Sequence, residues 1–306
     1  MHALSRRQLV ILVVLTLVWG INWPIMKVGV TGLPPLMFRT LSMWIGLPVL
    51  ALAMLATKTP FFVPRERWRE LFMLALTNMI VWHVLLILAL PLLSSGRAAI
   101  LGYTMPIFAA VFGALFFGQR LLPRAWLGIV AAFVGVVLLL WHEFTNLSGR
   151  PVGVLMMLGA AAVWAVGTHR LRRTTLPVPT LTISFWMTVL TTAVMSVLTL
   201  LFERHEWRMP GAVNWGSIVY NGLLIFGFAQ AAWFFLARSL PPIASTLSVM
   251  FIPVLGVFSG AWALGEVLHW QDWAAIALVV VAIASVLLPS RSARAASAAA
   301  VPKVLP

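Results

Sequence analysis

Apolar residues run through this chain in blocks of about 18 to 25, and short gaps between the blocks hold most of the charged residues. A block of that length crosses a hydrocarbon core of roughly 30 Å at about 1.5 Å per helical residue. Ten spans are predicted, at about 8–29, 34–57, 69–90, 95–117, 123–141, 152–171, 180–202, 213–237, 241–264 and 270–289. The connections leave no room for a sizeable soluble domain. The pattern predicts an all-α integral membrane protein.

The blocks also repeat. With a shift of about 147 residues, "MPIFAAVFGALFFGQRLLPRAW" (105–126) overlies "IPVLGVFSGAWALGEVLHWQDW" (252–273). Pro106 then meets Pro253, Gly113 meets Gly260, Gly118 meets Gly265 and Trp126 meets Trp273. Near the front of each half, Val18–Trp19 is echoed by Val163–Trp164 at an offset of 145. Five spans per half is an odd number, so the halves must enter the membrane from opposite sides as a 5+5 inverted-topology repeat. That architecture belongs mainly to transporters, with the substrate site near the midplane where the repeats meet. The expected organisation is an N-terminal repeat over 1–146, a C-terminal repeat over 147–289 and a disordered cytoplasmic tail over 290–306.

Composition and charge add an orientation. The chain is 62% hydrophobic and 9% charged, against roughly 25% charged in a soluble domain. A net charge of +14 would suggest nucleic acid in a soluble protein. Here fifteen Lys and Arg fall in loops on the side of the N-terminus, and four (Arg97, Arg150, Arg204, Arg208) on the other. The positive-inside rule then places both termini in the cytoplasm and leaves no nucleic-acid partner to invoke. The absence of cysteine excludes disulfides and thiol catalysis. No histidine pair has metal-ligand spacing, so neither a metal nor another cofactor is expected.

The motif "VWGINWPIMK" after a short basic N-terminus is followed by P-x6-G-x4-G-Q in the fourth span and P-x6-G-x4-G-E in the ninth. Together with the topology, these motifs resemble the drug/metabolite transporter superfamily, EamA type, over residues 8 to 289. Within that family the chain looks most like bacterial aromatic amino-acid exporters, although many relatives carry Glu where this chain has Met105. The resemblance implies a multi-pass bacterial inner-membrane exporter rather than an enzyme. Its partners would be the bilayer and small solutes, and a monomer is favoured. Exporters of other small solutes or drugs in the same superfamily are the alternative. A channel or a membrane enzyme is a further one, though neither a filter-like loop nor a polar catalytic cluster is visible.

All seven carboxylates lie in loops or at span ends. Exchange of protons for cationic drugs usually needs a carboxylate inside the membrane, so such exchange is disfavoured. Passive facilitation and histidine-linked coupling both stay open. Polar groups without partners in lipid cost several kcal/mol, so the polar residues within spans should face protein or a wet cavity. The candidates for that cavity are Asn22, Trp23, Arg39, Asn78, Trp82, His83, Tyr103, Trp164, Gln230, Trp233, Ser245 and Ser248. Amide and hydroxyl groups at one end and aromatic walls at the other suit a zwitterion with a flat ring. His83 serves either the substrate, a proton or an interhelical hydrogen bond. Arg39 either attracts a carboxylate or pairs with a helix end, while Lys27 is expected to snorkel to the outer interface. Trp19, Pro24, Pro106 and Pro253 are expected at hinges or gates, since each proline removes a backbone hydrogen bond. Ala109-x-x-x-Gly113 and Gly256-x-x-x-Gly260 should let the fourth and ninth spans cross closely.

Overall fold

A computed structural model of the chain describes residues 6–117, 123–145, 151–239 and 251–287. The tail and the candidates Ser245 and Ser248 lie outside the described residues. Lipid offers the backbone no hydrogen-bond partner, so each apolar block closes its own bonds as a helix. The first two helices are Arg6–Gly32 and Pro35–Ala56, and the third span runs over Arg65–Leu92. The fourth is broken into Ser95–Gly102 and Met105–Phe117. Pro123–Thr145, Pro151–Arg173, Thr180–Phe202 and Ala212–Arg238 follow. The ninth is described as Phe251–Leu264 and the tenth is Trp270–Leu287. Among the described residues, seven helices are long and apolar enough to cross a membrane, and three shorter apolar helices accompany them.

The halves form an inverted repeat, and equivalent residues meet where they face each other. Trp19 and Trp164 lie with ring centroids 6.0 Å apart, edge to face. Gln230 and His83, separated by 147 residues, come within 3.4 Å through Nε2 of each. Just ahead of those two residues, the third and eighth spans each widen into a π-helical stretch, Leu76–Ile80 and Asn221–Ala229. An inserted residue of this kind rotates the following face of a helix. The same distortion at equivalent places turns His83 and Gln230 toward one axis.

Small residues bring the halves together around it. The fourth and ninth spans cross, among the described residues, through Gly96, Ala99, Gly256 and Gly260. A Cβ on Gly256 would stand 2.7 Å from Ala99 Cβ and 3.0 Å from Trp23, and one on Gly96 would stand 3.1 Å from Val257. Gly260 faces Ser95 and Glu266. The carbonyl of Ala109 instead accepts from His169 Nε2 of the sixth span at 2.9 Å, and Gly113 is buried. Beyond the break at Tyr103–Thr104, the second half of the fourth span packs against the sixth.

The ends of the bundle differ. At the end away from the N-terminus, carboxylates of the second half cap helix starts of the first. Glu203 accepts from the amides of Leu36 (2.9 Å) and Met37 (2.7 Å). Burial pushes its carboxyl above the usual range, against the pull of those two amide donors. Glu266 accepts from the amides of Ser95 (2.6 Å) and Gly96 (3.1 Å) and from Ser95 Oγ (2.9 Å). Arg97 Nε donates to Asp272 at 2.8 Å. A helix N-terminus carries roughly half a positive charge with unsatisfied N–H groups, so a carboxylate fits it without a basic side chain.

Lys27 does not snorkel to the interface: Nζ donates to the carbonyls of Leu90, Pro91 and Leu93 at 2.9, 3.2 and 2.7 Å. Those carbonyls lie at the end of the third span, and three of them use all the protons of the ammonium. The three prolines take different places in their helices. Pro24 lies inside a continuous helix. Pro106 sits in the first turn of Met105–Phe117, where its missing N–H would have had no helical partner. Pro253 is buried near the start of the described ninth helix.

Two outcomes follow for stability in detergent. Gly256→Leu forces the first, fourth and ninth spans apart and lowers stability by about 1–3 kcal/mol, read as a lower thermal unfolding midpoint. Glu203→Gln weakens the cap on the second helix and costs about 1–2 kcal/mol, while Glu206→Gln on the exposed turn beside it leaves the midpoint unchanged.

Candidate functional site

The axis passes a small cavity of about 40 Å³. Its walls come from the first helix (Trp19, Asn22, Trp23, Met26), the second (Arg39), the third (Trp82, His83, Leu86), the fourth (Tyr103), the sixth (Trp164) and the eighth (Ile225, Gln230). Both halves therefore contribute. The broken fourth span delivers Tyr103: the chain turns there, with the Tyr103 amide on Ala99 O at 3.1 Å and Thr104 Oγ1 on Leu101 O at 2.7 Å.

Aromatic rings form most of the lining. Trp82 and Trp164 lie 4.2 Å apart by centroid, and Trp23 meets Tyr103 edge to face at 6.4 Å. Trp233 stands behind this layer, against Trp19 at 5.6 Å and Trp164 at 6.3 Å. It supports the cavity and does not line it.

Arg39 is the one charged residue of the lining. It is only 1% exposed, and among the described residues no carboxylate pairs with it. Its terminal nitrogens donate to Asn221 Oδ1 at 3.3 Å and to Met26 Sδ at 2.8 Å, and Nε has no partner. The guanidinium lies 5.5 Å from the centroid of the Phe226 ring, a cation–π contact that contributes about 0.5–2 kcal/mol. Burying an uncompensated ion costs several kcal/mol, so these contacts offset only part of the penalty. An anion entering the cavity would recover more of it.

Several neutral polar atoms in the lining are buried without a partner: Asn22 Oδ1, His83 Nδ1, Trp164 Nε1 and Gln230 Oε1. With the Gln230 amide donating from Nε2 to His83 Nε2, the imidazole carries its proton on Nδ1. The cavity then offers a cation, two N–H donors and two amide oxygens between aromatic faces. Native interiors leave few such groups unsatisfied, and their clustering marks this spot.

Of the sequence candidates, Asn22, Trp23, Arg39, Trp82, His83, Tyr103, Trp164 and Gln230 line this cavity, and Trp19, expected at a gate, joins them. Asn78 does not. It is buried nearer the basic end, with Nδ2 on Leu74 O at 2.9 Å, where it packs against Gly167 of the sixth helix. Met26, Leu86 and Ile225 are apolar and carried no distinguishing signal. Asn221 and Phe226, which hold Arg39, lie beside the lining. Asn221 was detectable as an amide in the middle of an apolar span.

Comparison with known proteins places this geometry in a family. Residues 7–141 and 151–288 each match the EamA-like transporter family. The chain is 26% identical over 255 residues to the uncharacterized transporter YoaV of Bacillus subtilis, covering 82% of this chain and 86% of that one. It is 27% identical to the uncharacterized inner membrane transporter YedA of Escherichia coli, covering 90% and 88%. It is 24% identical to a probable amino-acid metabolite efflux pump of Salmonella typhimurium, covering 90% and 93%. A crystal structure 24% identical in sequence superposes with a TM-score of 0.70 over 94% of this chain and 99% of the other, which shows the shared fold. The chain belongs to the EamA-like transporter family, and is a multi-pass membrane transporter rather than an enzyme.

Proposed function

We propose that this protein exports amino acids, aromatic and other neutral ones, and related metabolites across the bacterial inner membrane. Both termini are cytoplasmic, and the central cavity is the substrate site. The observation that carries this reading is Arg39, a buried guanidinium with no carboxylate partner, in a lining of aromatic rings and unpartnered polar atoms. An α-carboxylate pairs with Arg39, and an α-ammonium is accepted by Asn22 Oδ1 and Gln230 Oε1. A flat side chain lies among Trp19, Trp23, Trp82 and Trp164. The probable efflux-pump function of the Salmonella relative agrees with this reading. Cationic drugs fit poorly, because the cavity wall holds a cation and no acid.

At about 40 Å³ the cavity has room for a few water molecules, each needing roughly 10–15 Å³. Ligand sites enclose roughly 300–1,000 Å³. The described conformation is therefore closed, and substrate enters only when the halves move. Alternating access around a midplane site follows from the inverted repeat.

Reconstitution in liposomes tests the assignment. The protein is expected to move labelled phenylalanine and tryptophan with saturable kinetics, and phenylalaninamide far less well. Arg39→Gln raises KM for phenylalanine roughly 30-fold, the loss of about 2 kcal/mol from one charge-assisted interaction, and abolishes the preference over the amide. A general folding defect would lower both rates and keep the preference. Absence of stimulated movement for every amino acid tested would falsify the assignment. Gln230→Leu removes an ammonium acceptor and the imidazole's partner together, and is expected to cut kcat/KM at least tenfold for zwitterions.

A further inference from the structure

Among the open cavities around the central one, two are related by the repeat. The first, about 470 Å³, lies at the basic end between the third and sixth spans. The second, about 430 Å³, lies toward the opposite end, between the first, eighth and ninth. Arg69 and Glu70 in the first correspond, at the offset of 147, to Gly216 and Ser217 in the second. Arg170 and Arg173 correspond, at the offset of 145, to Ile25 and Val28. Three further lining positions match in the same way. These are one architectural feature placed twice, once at each end.

Their linings are not alike. The cavity at the basic end carries four arginines, two glutamates and His169. Glu70 is engaged, accepting from Thr174 Oγ1 at 2.6 Å and pairing with Arg67 at 3.3 Å. The opposite cavity has no charged residue in its lining, and the one adjoining it at that end holds Lys27 and Glu266, which are engaged by carbonyls and amides of helix ends. Symmetry of the backbone therefore comes with asymmetry of charge.

Between the charged cavity and the centre lies one close crossing. A Cβ on Gly167 would stand 2.7 Å from the backbone of Thr77 and 2.7 Å from Asn78. Buried beside that crossing, Asn78 Oδ1 and Thr168 Oγ1 have no partner. Leu74 lines the charged cavity and Trp82 the central one, a separation of roughly 12 Å along the third span at about 1.5 Å per residue. Unpartnered polar atoms thus mark the step from one cavity to the other.

We infer that the charged cavity is a loading vestibule, which captures zwitterionic and carboxylate solutes before they pass the Asn78–Gly167 crossing to Arg39. The inference rests on the proposed transport function and adds a second site to it. The arginines attract the carboxylate and the glutamates tolerate the ammonium, while at the other end Lys27 and Glu266 are held by helix-end groups and the cavity lining is apolar beside them.

Arg69→Gln with Arg170→Gln, made together in the full chain, tests the vestibule in liposomes of uncharged phosphatidylcholine. At about 20 mM salt, kcat/KM for phenylalanine entering from the basic end is expected to fall roughly five- to tenfold, with kcat unchanged. Raising salt to about 300 mM lowers wild-type kcat/KM toward that of the variant, because the screening length shrinks below the width of the cavity. The Lys–Lys pair at the same positions keeps the salt dependence, which separates charge from shape and from folding. Equal kcat/KM in wild type and variant at low salt overturns the vestibule. So does a difference seen only in vesicles containing phosphatidylglycerol, which would mean that the arginines hold lipid headgroups. Wild-type protein that moves no amino acid at all overturns both this site and the function on which it rests.

Discussion

The contact between Gln230 and His83 across the repeat axis, at 3.4 Å, is the interaction around which the rest of the structure is arranged. Two residues of equivalent position touch only if each half turns the same face inward, and the π-helical stretches preceding them do that turning. Once that contact exists, Trp19 and Trp164 must also converge, and Arg39 on the second helix has no exit to water. A two-sided centre that holds a buried cation follows from the pairing.

Such a centre must be held shut without losing the ability to open. At the end away from the N-terminus the closure is made by carboxylates on helix N-termini, by Arg97 on Asp272, and by Lys27 on three carbonyls. These are polar contacts between ends of elements, individually modest and separately replaceable by water. Interdigitated apolar packing would be harder to reverse, because close-packed side chains have few alternative arrangements. The small-residue crossing of Gly256 on Ala99 supplies a pivot beneath those contacts. The far end is thus fastened by bonds that hydration can exchange, above a hinge that keeps its geometry.

The asymmetry of charge gives this duplicated scaffold a direction. Both repeats build a cavity between the first span of one half and the third span of the other, yet only one cavity is lined with arginine and glutamate. Topogenic charge and substrate capture then draw on the same residues. Arginines that set the orientation of the chain by the positive-inside rule also stand at the mouth through which an anionic group would enter.

Much of this was legible in the chain itself. Span length, loop charge and the echo of Pro, Gly and Trp at a fixed offset determined ten helices in two inverted halves, because lipid restricts the backbone to so few solutions. The same rule singled out polar residues within spans, and eight of the twelve cavity candidates line one cavity. What the sequence could not determine was rotation and partnership. Asn78 and His83 both sit in the third span on different faces, and which face meets the other half was not legible from spacing. Lys27 has the reach to snorkel, but the end of the third span supplies three carbonyls within that reach. Ala109 repeats the small-residue pattern of Gly256, yet its carbonyl meets His169 of the sixth span. Periodicity reports what must avoid lipid, and the tertiary structure alone decides which neighbour each hidden group meets.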